Sequence, residues 1–223
     1  MIRLGVLLRY ICLTLTSLVV QGCGHTPVSL TIIEAIQSRQ PIDRVVLDPK
    51  LRYLRVSSDG KDALFVLGYL EPHSCGVLAT WYSGTGEVLQ LCDGRIWSTA
   101  GLGVDWRSVK YLVAPPSWTE LSKQRSGHFI RELDLSPGYK FSIRQSVSLR
   151  EVASQRNARL VGISPDDLEW FEETLSNDRF SLPLARYGVK SADGSTRVLF
   201  GEQCLSENRC MAWQEWPINR TNK

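Results

Sequence analysis

Turn-forming residues recur about every ten positions after residue 44, and this spacing limits the possible folds more than any other feature of the chain. Between the turns lie short runs that are apolar or that alternate between apolar and polar residues, such as Tyr53–Val56 and Ala63–Leu70. Runs of this length with Asp-Gly or Pro-Gly between them are typical of strands joined by tight turns. The sequence therefore predicts a mainly β fold, an antiparallel meander that is barrel-like or sandwich-like.

Two segments stand apart from this pattern. Ser29–Gln40 has apolar residues at helical spacing and stops before Pro41, so it predicts one short N-terminal helix. Asp166–Leu175 suits a helix by the spacing of its leucines with Phe171, but it also alternates as a strand does. The residues alone leave both alternatives open there.

The N-terminus has the layout of a secretory signal. Arg3 and Arg9 precede an apolar stretch, Tyr10–Val20, that is shorter than the roughly 20 residues needed to span a membrane. The following Val-Gln-Gly-Cys resembles the bacterial lipobox, in which a small residue precedes the cysteine that accepts the lipid. We therefore expect residues 1–22 to be a lipoprotein signal peptide and Cys23 to be lipidated, the alternative being an ordinary cleaved signal.

The predicted domain organisation follows from that cleavage. Residues 23–28 would form a lipidated tether, and residues 29–223 a single β-rich periplasmic domain. Gly24 stands where an aspartate would favour retention at the inner membrane, so the expected location is the outer membrane, facing the periplasm. The protein would be attached to the membrane through its N-terminal lipid alone.

Composition excludes one class of partner. Residues 1–22 hold two arginines and no acidic residue, so the rest of the chain has 24 basic and 23 acidic side chains. A net charge of about +1 gives no electrostatic basis for nucleic-acid binding.

The cysteines agree with an exported protein. Four remain after the signal and the lipidation site, and an even number in an oxidising compartment suggests two disulfides with three possible pairings. A predicted hairpin brings Cys75 near Cys92, and a short turn-rich link separates Cys204 from Cys210. This geometry favours the two local pairs, and the absence of a Cys-x-x-Cys motif disfavours a zinc site.

An ordered series of short motifs resembles the YjbF/GfcB-type family of outer-membrane lipoproteins, which is associated with exopolysaccharide and group 4 capsule production. A weaker likeness continues through Trp170-Phe171-Glu172-Glu173 to Gln203 and favours a strand in the ambiguous segment. The motifs that carry the resemblance are Tyr53-Leu54-Arg55-Val56, Ala63-Leu64-Phe65-Val66-Leu67-Gly68-Tyr69, Trp81-Tyr82-Ser83 with Gly86, Asp93-Gly94-Arg95-Ile96, Thr99-Ala100-Gly101-Leu102 and Asp105-Trp106.

The resemblance implies a mainly β, periplasm-facing lipoprotein that assists the synthesis, export or surface assembly of an extracellular polysaccharide. It implies no catalytic mechanism. The function predicted from it is that of a non-enzymatic accessory factor. A periplasmic polysaccharide-modifying hydrolase or lyase is the alternative, and a docking protein for an export complex is a third hypothesis.

The residues themselves offer no complete catalytic site, and we predict neither catalytic residues, metal ligands nor a cofactor. Ser83 lacks the first glycine of a nucleophile elbow. Glu172 and Glu173 are adjacent, so on a strand they would point to opposite faces. The three histidines have no neighbouring second ligand in the sequence: His25, His73 and His128.

Aromatic residues are the best candidates for contact with a polysaccharide. All seven tryptophans follow residue 80, and their faces can pack against sugar rings or fill a core. The possible glycan-binding residues are Trp81, Trp97 and Trp106, with Arg95 as a cation for an acidic sugar.

The lipidation hypothesis makes a direct prediction. Cys23→Ser removes the thiol that would accept the diacylglycerol, so the variant should incorporate no radiolabelled palmitate and should stay as an uncut precursor or leave the membrane. Normal acyl labelling of this variant would contradict the assignment.

Overall fold

The computed structural model describes residues 42–156, 158–176, 182–192 and 194–217, and they form a sheet of twelve antiparallel strands. One α-helix occurs in these residues, α1 (Trp118–Gln124), between the sixth and seventh strands. The strands are β1 (Tyr53–Ser58), β2 (Lys61–His73), β3 (Gly76–Ser83), β4 (Val88–Cys92), β5 (Arg95–Ala100), β6 (Asp105–Val113), β7 (Ser126–Ser136), β8 (Lys140–Val152), β9 (Glu169–Leu175), β10 (Ala185–Ala192), β11 (Ser195–Ser206) and β12 (Arg209–Trp216).

The strand order is that of a nearly closed barrel. Consecutive strands pair with one another except for β5 and β6, and β1 also pairs with β12. The two edge strands are therefore the consecutive β5 and β6. These edges lie side by side, and the Thr99 hydroxyl bridges them, donating to Asp105 (3.0 Å) and accepting from the Trp106 amide (3.1 Å). The predicted meander and its barrel form are therefore confirmed. The predicted N-terminal helix Ser29–Gln40 lies outside the described residues, as does Cys23.

The meander gives the barrel two different ends. The connections that leave odd-numbered strands lie at one end, which we call the turn end. The connections that leave even-numbered strands lie at the other, which we call the helix end because α1 follows β6 there.

Helix α1 closes the helix end of the barrel. Ser117 and Glu120 form a capping box, in which each side chain accepts a hydrogen bond from the other's backbone amide. Trp118 and Leu121 are buried, and the Trp118 indole donates to the Asp93 carbonyl in the β4–β5 turn (2.8 Å). The sequence analysis did not predict this helix, which has only seven residues. No helix within the described residues is long and apolar enough to cross a bilayer.

The ambiguous segment is a strand. Pro165–Asp167 make a single 3₁₀ turn, started by Ser164, and β9 begins two residues later. Trp170 then packs against Phe200 on the outer face of the barrel, whereas Phe171 lies in the interior core. The strand that the alternating pattern indicated is therefore confirmed.

Two disulfides tie neighbouring strands together, and they are the two local pairs that the spacing favoured. Cys75–Cys92 joins the start of the β3–β4 hairpin to its end, at the helix end. Cys204–Cys210 joins directly opposed residues of β11 and β12, next to the turn end.

Gly201 is needed for the packing of the interior. A Cβ at this position would lie 2.3 Å from the buried ring of Trp213, which is directly opposite on β12. We expect Gly201→Ala to lower the free energy of unfolding by about 1–3 kcal/mol, since the ring has no room to move. Urea denaturation followed by circular dichroism measures this change.

Gly68→Ala is the matched control. Its Cβ would lie 2.4 Å from the ring of Tyr82, which is 39% exposed and free to swing into solvent. We expect little loss here, because alanine in a strand is favoured over glycine by about 0.5–1 kcal/mol. Equal destabilisation by the two substitutions would contradict the packing argument.

Candidate functional site

A pocket of about 440 Å³ opens into the barrel at the turn end, and we call it the turn-end pocket. Its floor is apolar and belongs to the interior core, and its rim is made by four of the connections at that end. The lining residues are Val56, Ser58, Asp59, Lys61, Asp62, Ala63, Phe65, Thr85, Glu87, Gly101, Leu102, Gly103, Leu205, Arg209 and Met211.

Glu87 places a fixed carboxylate on the rim. The Ser83 and Thr85 hydroxyls both donate to it, which ties it into the tight β3–β4 turn. Partial burial raises the pKa of Glu87, but these two hydrogen bonds outweigh the burial and hold the pKa below its ordinary value. The group is therefore a firmly ionised acceptor.

Arg209 carries positive charge across the mouth of the pocket. Its guanidinium pairs with Asp59 of the β1–β2 turn at 2.6 Å and lies beside Gly103 of the β5–β6 loop, where a Cβ would be 3.2 Å from Arg209 Nη2. The disulfide at the base of the β11–β12 turn and a 3.2 Å hydrogen bond from the Trp106 indole to the Leu205 carbonyl hold this turn in place. Lys61 adds a second cation to the rim.

Asp62 completes the charged lining from the outer side. It accepts hydrogen bonds from Ser57 and from Arg55, the latter at 2.6 Å. Burial raises the pKa of Asp62, but the contacts with Ser57 and Arg55 lower it by more, so the net pKa is below the usual value. Like Glu87, this carboxylate stays ionised at neutral pH.

A second group of charges is buried in the barrel, and we call Arg95, Arg131 and Glu173 the interior charge cluster. The Glu173 carboxylate lies between the two guanidinium groups, 3.6 Å from Arg95 Nε and 3.4 Å from Arg131 Nη1. All three side chains are almost fully buried. A buried charge is tolerated only when it has partners, and here one carboxylate serves two cations.

Aromatic and amide groups complete the surroundings of this cluster. The Arg95 guanidinium lies 3.8 Å from the centre of the Trp118 ring, and Arg131 lies 4.9 Å from that of Trp106. Arg131 Nε also donates to the Gln145 side chain at 2.8 Å. Burial and the nearby Glu173 raise the pKa of Tyr187 well above its ordinary value, so its hydroxyl stays protonated in the interior.

The structure separates the four possible glycan-binding residues. Arg95 and Trp106 are buried in the interior, and Trp81 lines a smaller cavity of about 160 Å³ that opens at the helix end. Trp97 is half-buried, with its ring between those of His73 and Tyr111. A direct contact of these residues with a glycan stays a prediction, and a sugar would have to enter the barrel to reach the buried Arg95 and Trp106.

The sequence and the fold both resemble those of known lipoproteins. The model of the group 4 capsule polysaccharide lipoprotein family GfcB/YjbF matches residues 43–185. The chain belongs to this family. The fold resembles the crystal structure of the hypothetical lipoprotein YmcC from Escherichia coli K12, with a TM-score of 0.59 and 16% identity over 87% of this chain and 98% of that one. No curated protein matches the sequence.

The match to the GfcB/YjbF family covers β1–β9 and with them the interior charge cluster, whereas the part of the turn-end pocket made by Leu205, Arg209 and Met211 lies beyond it. Neither Arg131 nor Arg209 is among the site residues predicted from the sequence. The sequence could have indicated that Arg131 is buried, because it stands at an inward position of β7 between Phe129 and Leu133. No sequence pattern indicates the role of Arg209, because only the closure of the barrel brings its turn next to the β1–β2 turn.

The described histidines lie away from the turn-end pocket. His73 Nδ1 is 2.9 Å from Cys75 Sγ, but that sulfur is already joined to Cys92 in the disulfide. His128 contacts Ser146 on the outside of β7. His25 lies outside the described residues.

The interior charge cluster predicts a large difference between two adjacent glutamates. Glu173→Gln leaves Arg131 buried without a counter-charge and leaves Arg95 with Asp93, 3.8 Å away, as its remaining carboxylate partner. We expect a loss of about 3–5 kcal/mol in the free energy of unfolding. The measurement is chemical denaturation at neutral pH.

Glu172→Gln is the control on the opposite face of β9. Glu172 pairs with Arg150 and Arg186, which are themselves in contact with water and can be solvated when the charge is lost. We expect a loss of about 1–2 kcal/mol. A larger effect at position 172 than at position 173 would show that the buried cluster contributes little.

Proposed function

We propose that this lipoprotein is anchored in the outer membrane, faces the periplasm and acts as a non-enzymatic accessory factor in the export or assembly of a capsular polysaccharide. Its family supports the link to capsule production. The turn-end pocket is the surface through which the protein would contact the polysaccharide.

The non-enzymatic proposal rests on the ionisation of the pocket carboxylates Glu87 and Asp62. Glycoside hydrolysis needs a protonated carboxyl group to act on the leaving oxygen, which requires a raised pKa. In the pocket, hydrogen bonds lower the pKa of Glu87 and of Asp62. Both groups are suited to accept hydrogen bonds from hydroxyls and poorly suited to donate a proton.

The size and lining of the pocket support a saccharide as ligand. A volume of about 440 Å³ lies within the roughly 300–1,000 Å³ of small-molecule sites. Phe65 and Leu102 offer apolar surface to the ring carbons of a sugar. Glu87 can accept from its hydroxyls, and Lys61 and Arg209 can bind a carboxylate of an acidic sugar.

The test joins genetics with a matched pair of substitutions. The gene is deleted and then restored with the wild type, with Lys61→Gln plus Arg209→Gln, or with Arg52→Gln as the control. Arg52 is a suitable control because it lies at the helix end, pairs with Glu215 and is 46% exposed, close to the 42% of Arg209. Secreted and cell-bound polysaccharide are measured in amount and chain length.

We expect the deletion to reduce the cell-bound polymer, the Arg52→Gln gene to restore it and the double variant to restore it incompletely. Unchanged amount, size and surface retention after deletion would contradict the role in capsule production. Purified protein that shortens the isolated polymer would contradict the non-enzymatic role and favour the hydrolase or lyase.

A further inference from the structure

The β7–β8 turn exposes two neighbouring aromatic rings to solvent. Tyr139 is 84% exposed and Phe141 is 66% exposed, and the ring centres are 6.5 Å apart. We call residues 137–141 the aromatic tip. Exposure of adjacent large apolar groups is unfavourable in water by about 25 cal/mol for each Å², so such a pair marks a surface that contacts something less polar.

The backbone holds the aromatic tip in a fixed form. Tyr139 and Ser142 have φ of 48° and 52°, in the left-handed region that non-glycine residues rarely adopt. The Asp134 carboxylate accepts from the Ser142 amide at 2.8 Å and from the Ser108 hydroxyl at 2.7 Å, which braces the base of the turn. Strained positions supported in this way are commonly functional.

The aromatic tip lies at the turn end of the barrel, and the chain from the lipid anchor enters near the same end. Arg55 pairs with Asp43, at the start of the described residues, and with Asp62, the second residue of β2. Residues 24–41 separate Cys23 from this point, and eighteen residues span at most about 60 Å. A bilayer that holds a lipid on Cys23 is therefore within reach of the turn end.

We propose that the aromatic tip inserts into the interfacial region of the membrane that holds the lipid anchor, so that the turn end faces the bilayer. Tyrosine and phenylalanine gain from this region because it accepts their apolar faces and leaves the tyrosine hydroxyl hydrated. Lys140, between the two rings, adds attraction to anionic headgroups. The inference rests on the anchoring in the proposed function.

The test uses Tyr139→Cys in the full lipidated protein, labelled with an environment-sensitive fluorophore. The thiol is unique when Cys23 is acylated, because the four cysteines of the folded part are in disulfides. Val77→Cys is the control, since Val77 is an exposed apolar residue at the opposite end of the barrel. Both proteins are placed in vesicles of phosphatidylethanolamine and phosphatidylglycerol.

We expect a blue shift, quenching by spin-labelled lipid and protection from iodide at position 139, and none of these at position 77. Equal behaviour of the two labels on vesicle-bound protein would overturn the insertion of the tip while leaving the anchor intact. Failure of both proteins to float with the vesicles would overturn the anchoring and the insertion together. Phe141→Cys replaces Tyr139→Cys if thermal melting shows that the first variant is unfolded.

Discussion

A ring of twelve strands encloses more space than the side chains of its own strands can readily fill, and the rest of the structure depends on how this space is filled. Barrels of about eight strands are just wide enough for side chains to fill them. Here Trp118 and Leu121 of α1 enter the helix end, and large rings such as Trp106 and Trp213 occupy the middle. The abundance of tryptophan after residue 80 is thereby explained mainly by packing.

The same excess of space admits charge into the interior. Arg95, Arg131 and Glu173 are long side chains that cross the barrel and contact one another and the aromatic rings. Glu173 lies between the two guanidinium groups and offsets part of their charge. The turn end is less completely filled, and this difference between the ends produces the pocket.

Local patterns predicted the strands well because each strand has one face toward the core. Alternation identified the β3–β4 hairpin and placed Glu172 and Glu173 on opposite faces of a strand, and the hairpin in turn favoured the pairing of Cys75 with Cys92. The short helix α1 was missed although Ser117 and Glu120 form a capping box, because seven residues are too few to show a period. The pocket could not be predicted, since its rim comes from turns far apart in the sequence.

The pairing of the first strand with the last has a consequence for the order of folding. β1 and β12 are about 150 residues apart, and contacts of such separation form late. A chain that folds from its N-terminus therefore exposes one unpaired edge of β1 until β12 has arrived. Exposed edges readily pair with other chains, so β1 is an edge at which the incompletely folded chain is open to aggregation.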